Sequence, residues 1–236
     1  MFRWVEKPSS HGPSTLAAPE DVAEFQLLVS HDEPTDAAIF ESATSKLRVG
    51  DVIAYRMDRR QLRLDLLKGH LNKISYGVLR YGHLALIVSD PAKPTQMRIF
   101  SSESAKGPNI DEGLAGLQGH DWDAYRLNQH PRLNATRLAE FVSVTLARAN
   151  RTRGYDFSGM FGLWNANLRP RRPEEVGNEY ICSSLVATAF YYAGVELDGI
   201  RHRAFDLLTP LQVVAGRGRI VALHDVELEI EDPASA

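Results

Sequence analysis

The stretch from Glu179 to Gly194 constrains this chain most. It reads Glu-Tyr-Ile-Cys-Ser-Ser-Leu-Val-Ala-Thr-Ala-Phe-Tyr-Tyr-Ala-Gly and holds the only cysteine, Cys182, among 236 residues. Leu185, Val186, Ala189, Phe190 and Ala193 recur at helical spacing, which predicts a buried helix. Gly194 follows as a C-terminal stop would. Cys182 then falls in the first helical turn, where unpaired amides and the positive end of the helix dipole favour a thiolate. A thiolate attacks carbonyl carbon. A small apolar residue packed at a helix start fits the same pattern, because free cysteine is among the most buried residue types.

A single cysteine excludes an intramolecular disulfide framework and any zinc site built on cysteine pairs. The eight histidines are scattered without zinc-ligand spacing, so no metal is expected. Net charge is −3, which gives no general reason to expect a nucleic-acid partner. Apolar content of 44% and charged content of 24% fit a globular chain with a sizeable core. Residues 1–15 lack an apolar signal-peptide region, and no run approaches the length of a membrane span. A cytoplasmic location is therefore the default expectation, with export by a route other than Sec left open.

Along the chain, residues 1–45 read as an N-terminal arm. It has a loose Pro/Ser/Gly-rich start, a short helix over Pro19–Ser30 and a polar loop over His31–Ser45. A Gly50-Asp51 turn feeds a strand that ends near Tyr55. Residues 56–80 form a basic insert, with seven Lys or Arg against two Asp and interspersed leucines. Such a run is a solvated face over a core stripe or a ledge that meets an anionic surface. Leu84–Ser89 and Met97–Glu103 read as an antiparallel strand pair, followed by a Gly107-Pro108 turn. Trp122–Leu127 is a further strand, and Asn134 caps an amphipathic helix through Arg148. An aromatic loop over Tyr155–Trp164, a last helix over Asp206–Ala215 and strands at 220–223 and 226–230 complete the reading. The fold class is α+β, with a main domain over residues 46–236.

A cysteine nucleophile needs a base within reach and a group that orients the base. His83 stands after Gly82 at the start of the buried Leu84–Ser89 strand, unlike the loop-borne histidines, including His31 and His120. Position alone also fits a histidine packed at a strand edge, which is the commoner case. Glu103 ends the neighbouring strand, so an antiparallel pair brings it beside His83. Ser101 or Ser104 would serve in another register.

With the order His, Glu, Cys on the page, the chain resembles the circularly permuted papain-like fold of the NlpC/P60 superfamily. The YiiX/YebB-like hydrolases are the nearer likeness and the lecithin:retinol acyltransferase-like proteins the more distant one. Matching pieces run in order: Gly50-Asp51-Val-Ile, Gly82-His83-Leu-Ala-Leu-Ile-Val, Phe100-Ser-Ser-Glu103, Tyr125-Arg126-Leu127, Gly154-Tyr155-Asp156-Phe157, Tyr180-Ile-Cys182-Ser-Ser-Leu-Val and Leu208-Thr209-Pro210. They cover about residues 47–223. Ser184 departs from the pattern, which commonly has Glu at that place.

The resemblance implies an antiparallel sheet or half-barrel packed against the cysteine helix. It also implies a Cys182–His83–Glu103 triad that works through an acyl-enzyme, with no cofactor. Tyr180 is a candidate oxyanion donor and Asp156 a candidate substrate contact. The expected activity is cleavage of a peptide or cell-wall peptide amide. A phospholipase or acyltransferase acting on acyl lipids is the alternative, including the role of a bacterial antagonism effector with an immunity protein as partner. A non-catalytic binding module is the remaining class.

Overall fold

The structure, a computed structural model, describes residues 24–57, 80–103, 106–110, 113–128, 133–149, 168–177, 179–197 and 208–215. The interior of the basic insert, Ser104, Asp156 with its aromatic loop, and the strands expected at 220–223 and 226–230 lie outside those residues. Six strands form one antiparallel sheet: β1 (Phe25–His31), β2 (Val52–Arg56), β3 (Tyr81–Ser89), β4 (Met97–Glu103), β5 (Gly107–Ile110) and β6 (Trp122–Leu127). Their spatial order is β1-β6-β2-β3-β4-β5. The helices are α1 (Ala37–Thr44), α2 (Ala135–Ala149), α3 (Cys182–Tyr192) and α4 (Pro210–Val214). The fold is mixed α+β.

Both faces of the sheet are covered, which explains why β3 reads as a continuous apolar run rather than an alternating one. On one face Val52, Ala54, Leu84, Leu86, Val88 and Phe100 join Phe141, Leu185, Val186 and Phe190 from α2 and α3. On the other, Ile53, Ala85, Ile87, Ile99, Trp122 and Ala124 meet Ala43 and Leu47 at the end of α1. The helix boundaries follow local chemistry. Asn134 Oδ1 accepts from the Arg137 amide at 3.0 Å and caps α2. Thr209 and Gln212 exchange hydrogen bonds around Pro210, so the Thr-Pro pair starts α4. At the end of α3, Gly194 takes φ 85°. Its N–H donates to Tyr191 O, and that of Val195 donates to Phe190 O, a Schellman closure.

Two of the sequence motifs are joined by an ion pair. Asp51, with no solvent exposure, receives Nε and Nη2 of Arg126 at 2.8 Å each. Its Oδ2 also accepts the Arg48 amide at 2.7 Å, fixing the turn into β2. Asp123, equally buried, is held by Arg56 and Arg80 at 3.3 Å and by the hydroxyl of Tyr81.

The N-terminal reading needs correction. Phe25–His31 is an edge strand paired to β6, not part of a helix over Pro19–Ser30. Its register shifts between Leu27 and Val29, and this irregularity breaks the period-two pattern that would have marked it as a strand. Phe25 packs edge-on against Phe190 at 5.3 Å, so this part of the arm belongs to the core. The helix lies instead in the supposed polar loop, at Ala37–Thr44, where Asp36 Oδ1 caps Ala38 N at 2.9 Å. His31, expected in a loose segment, is buried and stacked on Trp122 at 5.0 Å. Gly107-Pro108 opens a short edge strand as well as turning the chain, and an edge tolerates the proline's missing donor.

Arg126→Met strands the buried Asp51 carboxylate and is expected to destabilise the fold by about 3 kcal/mol in urea unfolding. Arg172→Gln, which breaks only an exposed 4.0 Å pair with Glu174, should shift stability by less than about 0.5 kcal/mol.

Candidate active site

Cys182 is the first residue of α3, and its placement is built from backbone and serine contacts. Ile181 precedes it in extended conformation and offers no side-chain cap. Ser184 Oγ accepts the Ile181 N–H and donates to the Ile181 carbonyl, both at 3.1 Å. A serine at the third helical position thus reaches back as Glu does in a capping box. Ser183 Oγ donates to Leu208 O at 2.6 Å and ties the helix start to the turn before α4. Ser102 on β4 donates to the carbonyl of Tyr180. These contacts hold the helix start against the ends of β3 and β4, with Cys182 only 6% exposed.

The sulfur lies against backbone donors. The amides of Leu84, Ser183 and Cys182 itself all favour its charged form, but burial outweighs them and pushes the thiol above its ordinary pKa. The amides act in the expected direction, and desolvation wins. Leu84 is the residue after His83, so the thiol meets β3 one residue along from the ring.

Pairing between β3 and β4 closes at Ala85 opposite Ser101. Two further residues in that register bring His83 opposite Glu103. Burial lowers the His83 pKa, and the negative charge of Glu103 opposes that shift. Glu103 also pairs with Lys106 Nζ at 3.3 Å, which shares its charge. On the other flank, Tyr55 is the cross-strand partner of His83, with ring centroids 5.5 Å apart. His120 packs edge-on against Tyr55, also at 5.5 Å. Among the described residues, no hydrogen bond engages either His83 ring nitrogen, and none joins the ring to Sγ.

The register brings His83 and Glu103 together on the sheet face of Ala85 and Ile99, whereas Cys182 packs with Leu84 and Leu86 on the α3 face, so the structure joins the acid to the imidazole and does not bring the ring to the thiol. Tyr180 serves differently from its expected role. Its side chain is buried, its ring lies 6.0 Å from Phe141, and its hydroxyl accepts the Gly177 amide at 2.8 Å. Those contacts anchor the approach to α3. The donors facing the sulfur are backbone amides instead. Asp156 lies outside the described residues. Sequence reasoning missed Tyr55 and the Leu84 amide. The Tyr55 contact follows from strand register, and the amide has no side-chain signature.

A thiol held above its ordinary pKa and an imidazole held below its own suit general-base activation at the moment of attack, rather than a standing ion pair. Among the described residues, no group of three or more His, Cys, Asp or Glu is placed to hold a metal ion. No helix among them is long and apolar enough to cross a membrane. No family model, curated protein or solved structure matches the chain.

The raised thiol and lowered imidazole set the sign of a pH test. Carbamidomethylation of Cys182 by iodoacetamide should rise continuously with pH, through and beyond the ordinary thiol value of about 8.5. A standing thiolate–imidazolium pair would instead give a plateau at neutral pH. Stopped-time peptide mapping of the single cysteine distinguishes the two profiles.

Proposed function

We propose that this chain is a thiol hydrolase that cleaves a peptide or cell-wall peptide amide, on a circularly permuted papain-like scaffold of the NlpC/P60 kind. One observation carries the reading. The only cysteine opens a buried helix, with its sulfur against helix amides and against the strand residue that follows a histidine. The resemblance of the ordered motifs supports the same chemistry and suggests the substrate class.

The scheme requires the His83 ring to turn from the sheet face of Tyr55, around the end of β3, to the thiol when substrate binds. Apo sites of this type often have long catalytic hydrogen bonds that tighten in the complex. His83 takes the Cys182 proton as Sγ attacks the amide carbonyl. The resulting imidazolium is stabilised by the Glu103 carboxylate. The carbonyl oxygen becomes an oxyanion, held by amides at the α3 start. Collapse breaks the C–N bond, and His83 gives its proton to the leaving amine. Water, deprotonated by His83, then hydrolyses the thioester and restores the thiol. Ser184 departs from the resembled pattern without disturbing this scheme, because its role in the helix cap is local.

The test incubates wild type, Cys182→Ala and His83→Ala with peptidoglycan fragments and with phospholipid vesicles, and reads products by mass spectrometry. A peptide product is expected from wild type alone, with His83→Ala slowed by roughly 10²–10⁴-fold. Released fatty acid in place of peptide would move the activity to acyl lipids. Equal product from wild type and Cys182→Ala would remove the nucleophile from the scheme.

A further inference from the structure

β3 and β4 part where the start of α3 meets them. Their pairing ends with Ala85 opposite Ser101, so Leu84 and Ser102 would form the next rung. On β3 the Ile87 N–H donates to Asp51 O, toward the β2 side, at 2.8 Å. Backbone groups alternate sides along a strand, so the Leu84 N–H, three residues earlier, is turned toward β4. There it meets the sulfur of Cys182, at the rung the ladder leaves unmade. Ser102 lies on the sheet face of Phe100, which is the face α3 covers. It is fully buried, and its hydroxyl donates to Tyr180 O, two residues ahead of the thiol. Tyr180 is itself fixed by Phe141 and by the Gly177 amide. Ser183 and Ser184 bond to Leu208 and Ile181 instead. Among the described residues, Ser102 is therefore the side chain whose hydrogen bond ties this turn to the sheet.

We propose that Ser102 is the positioning residue for the Cys182 thiol: its grip on Tyr180 O seats the helix start in the β3–β4 fork and keeps the Leu84 N–H on the sulfur. Ser102 touches no reacting atom and acts through the Tyr180 carbonyl. The inference rests on the hydrolase reading for its catalytic purpose, but the geometry is a property of the thiol alone. Among the described residues, burial and the amides of Leu84, Ser183 and Cys182 set the protonation of the sulfur. His83 and Glu103 occupy the opposite sheet face, and the Tyr180 hydroxyl is engaged with Gly177. Two of the three amides belong to α3 and move with the sulfur. The Leu84 amide belongs to the sheet, so it alone depends on how helix and sheet are docked. Removing the Ser102 hydroxyl takes one donor from the thiolate and leaves the helix amides in place. A thiolate that loses a donor forms at higher pH. A helix start that merely loosened would act with the opposite sign, because admitting water relieves the desolvation that raises the thiol.

The test compares the full chain as wild type, Ser102→Thr, Ser102→Val and Ser102→Ala. Thr keeps a hydroxyl where Val has a methyl group of similar size, so this pair separates the hydrogen bond from volume. Alkylation of Cys182 by iodoacetamide is followed against pH, and the Leu84 amide is followed by NMR. Ser102→Val and Ser102→Ala should displace the pH profile upward by about one unit and slow alkylation roughly tenfold on its rising limb. Both should also move the Leu84 amide signal. Ser102→Thr should stay within about threefold of wild type. A profile displaced downward, faster alkylation, or a Thr variant displaced as far as Val would overturn the proposal. Ser102→Ala, which adds no volume, decides the matter if the β-branched variants do not fold. Each protein is also assayed for product from peptidoglycan fragments. A profile that moves as expected in a chain that releases no peptide removes the hydrolase reading and leaves the positioning role. Peptide release with an unmoved profile removes the positioning role alone.

Discussion

The hydroxyl of Ser102 donates to the carbonyl of Tyr180, two residues ahead of the thiol and 78 residues away in sequence. This bond pins the start of α3 to the end of β4. Ser183 repeats the device on the other side by reaching Leu208 O, and Ser184 closes the first turn on itself. All three serines are buried. Each spends its hydrogen-bonding capacity on backbone, so none leaves an unpaired polar group in the core. The result is a helix start whose amides face inward, onto the sulfur and the β3 backbone. Everything proposed for the chemistry depends on that orientation. A helix start open to solvent would offer the same amides to water.

Burial is the second constraint, and it decides the protonation state. Helix amides and the Leu84 N–H favour a thiolate, and Glu103 favours an imidazolium. Desolvation opposes both and outweighs them. At rest burial thus favours a neutral thiol and a neutral imidazole, and in the proposed scheme charge separates only when a proton passes from one to the other. In a low-dielectric setting that separation is stabilised by fixed dipoles close at hand, which need no reorganisation. Lys106 draws on the same carboxylate that faces His83, so the β4–β5 turn shares control of the base.

Much of this was legible in the sequence. The α3 pattern with its Gly194 stop, the β3 run beginning at His83 and the Asn134 cap all follow from local periodicity and capping chemistry. The pairing of His83 with Glu103 followed from two strands and a short connection, and the β3–β4 register is consistent with it. What could not be read depended on partners remote in sequence. β1 is a bulged edge strand whose identity comes from β6, and its apolar spacing imitates a helix. α1 was overlooked although Asp36 supplied its cap, because Ala, Ser and Thr dilute the apolar stripe. Helix position, which favours a thiolate, is visible in sequence, whereas the desolvation that opposes it is not. Tyr55 looked like the end of a strand until its register set it beside the imidazole. Ser184, a departure from the resembled pattern, makes physical sense only once its hydroxyl is seen closing the helix turn.

Mass spectrometry of an acyl adduct tests the central claim most directly. Wild type, Cys182→Ala and His83→Ala would each be mixed with activated acyl esters, quenched in acid within the first turnover, and digested for peptide mapping. The account predicts one acyl group, located on Cys182, formed rapidly in wild type and much more slowly in His83→Ala. It predicts none at that position in Cys182→Ala. An adduct on another residue, or one on Cys182 whose formation is indifferent to His83, would contradict it.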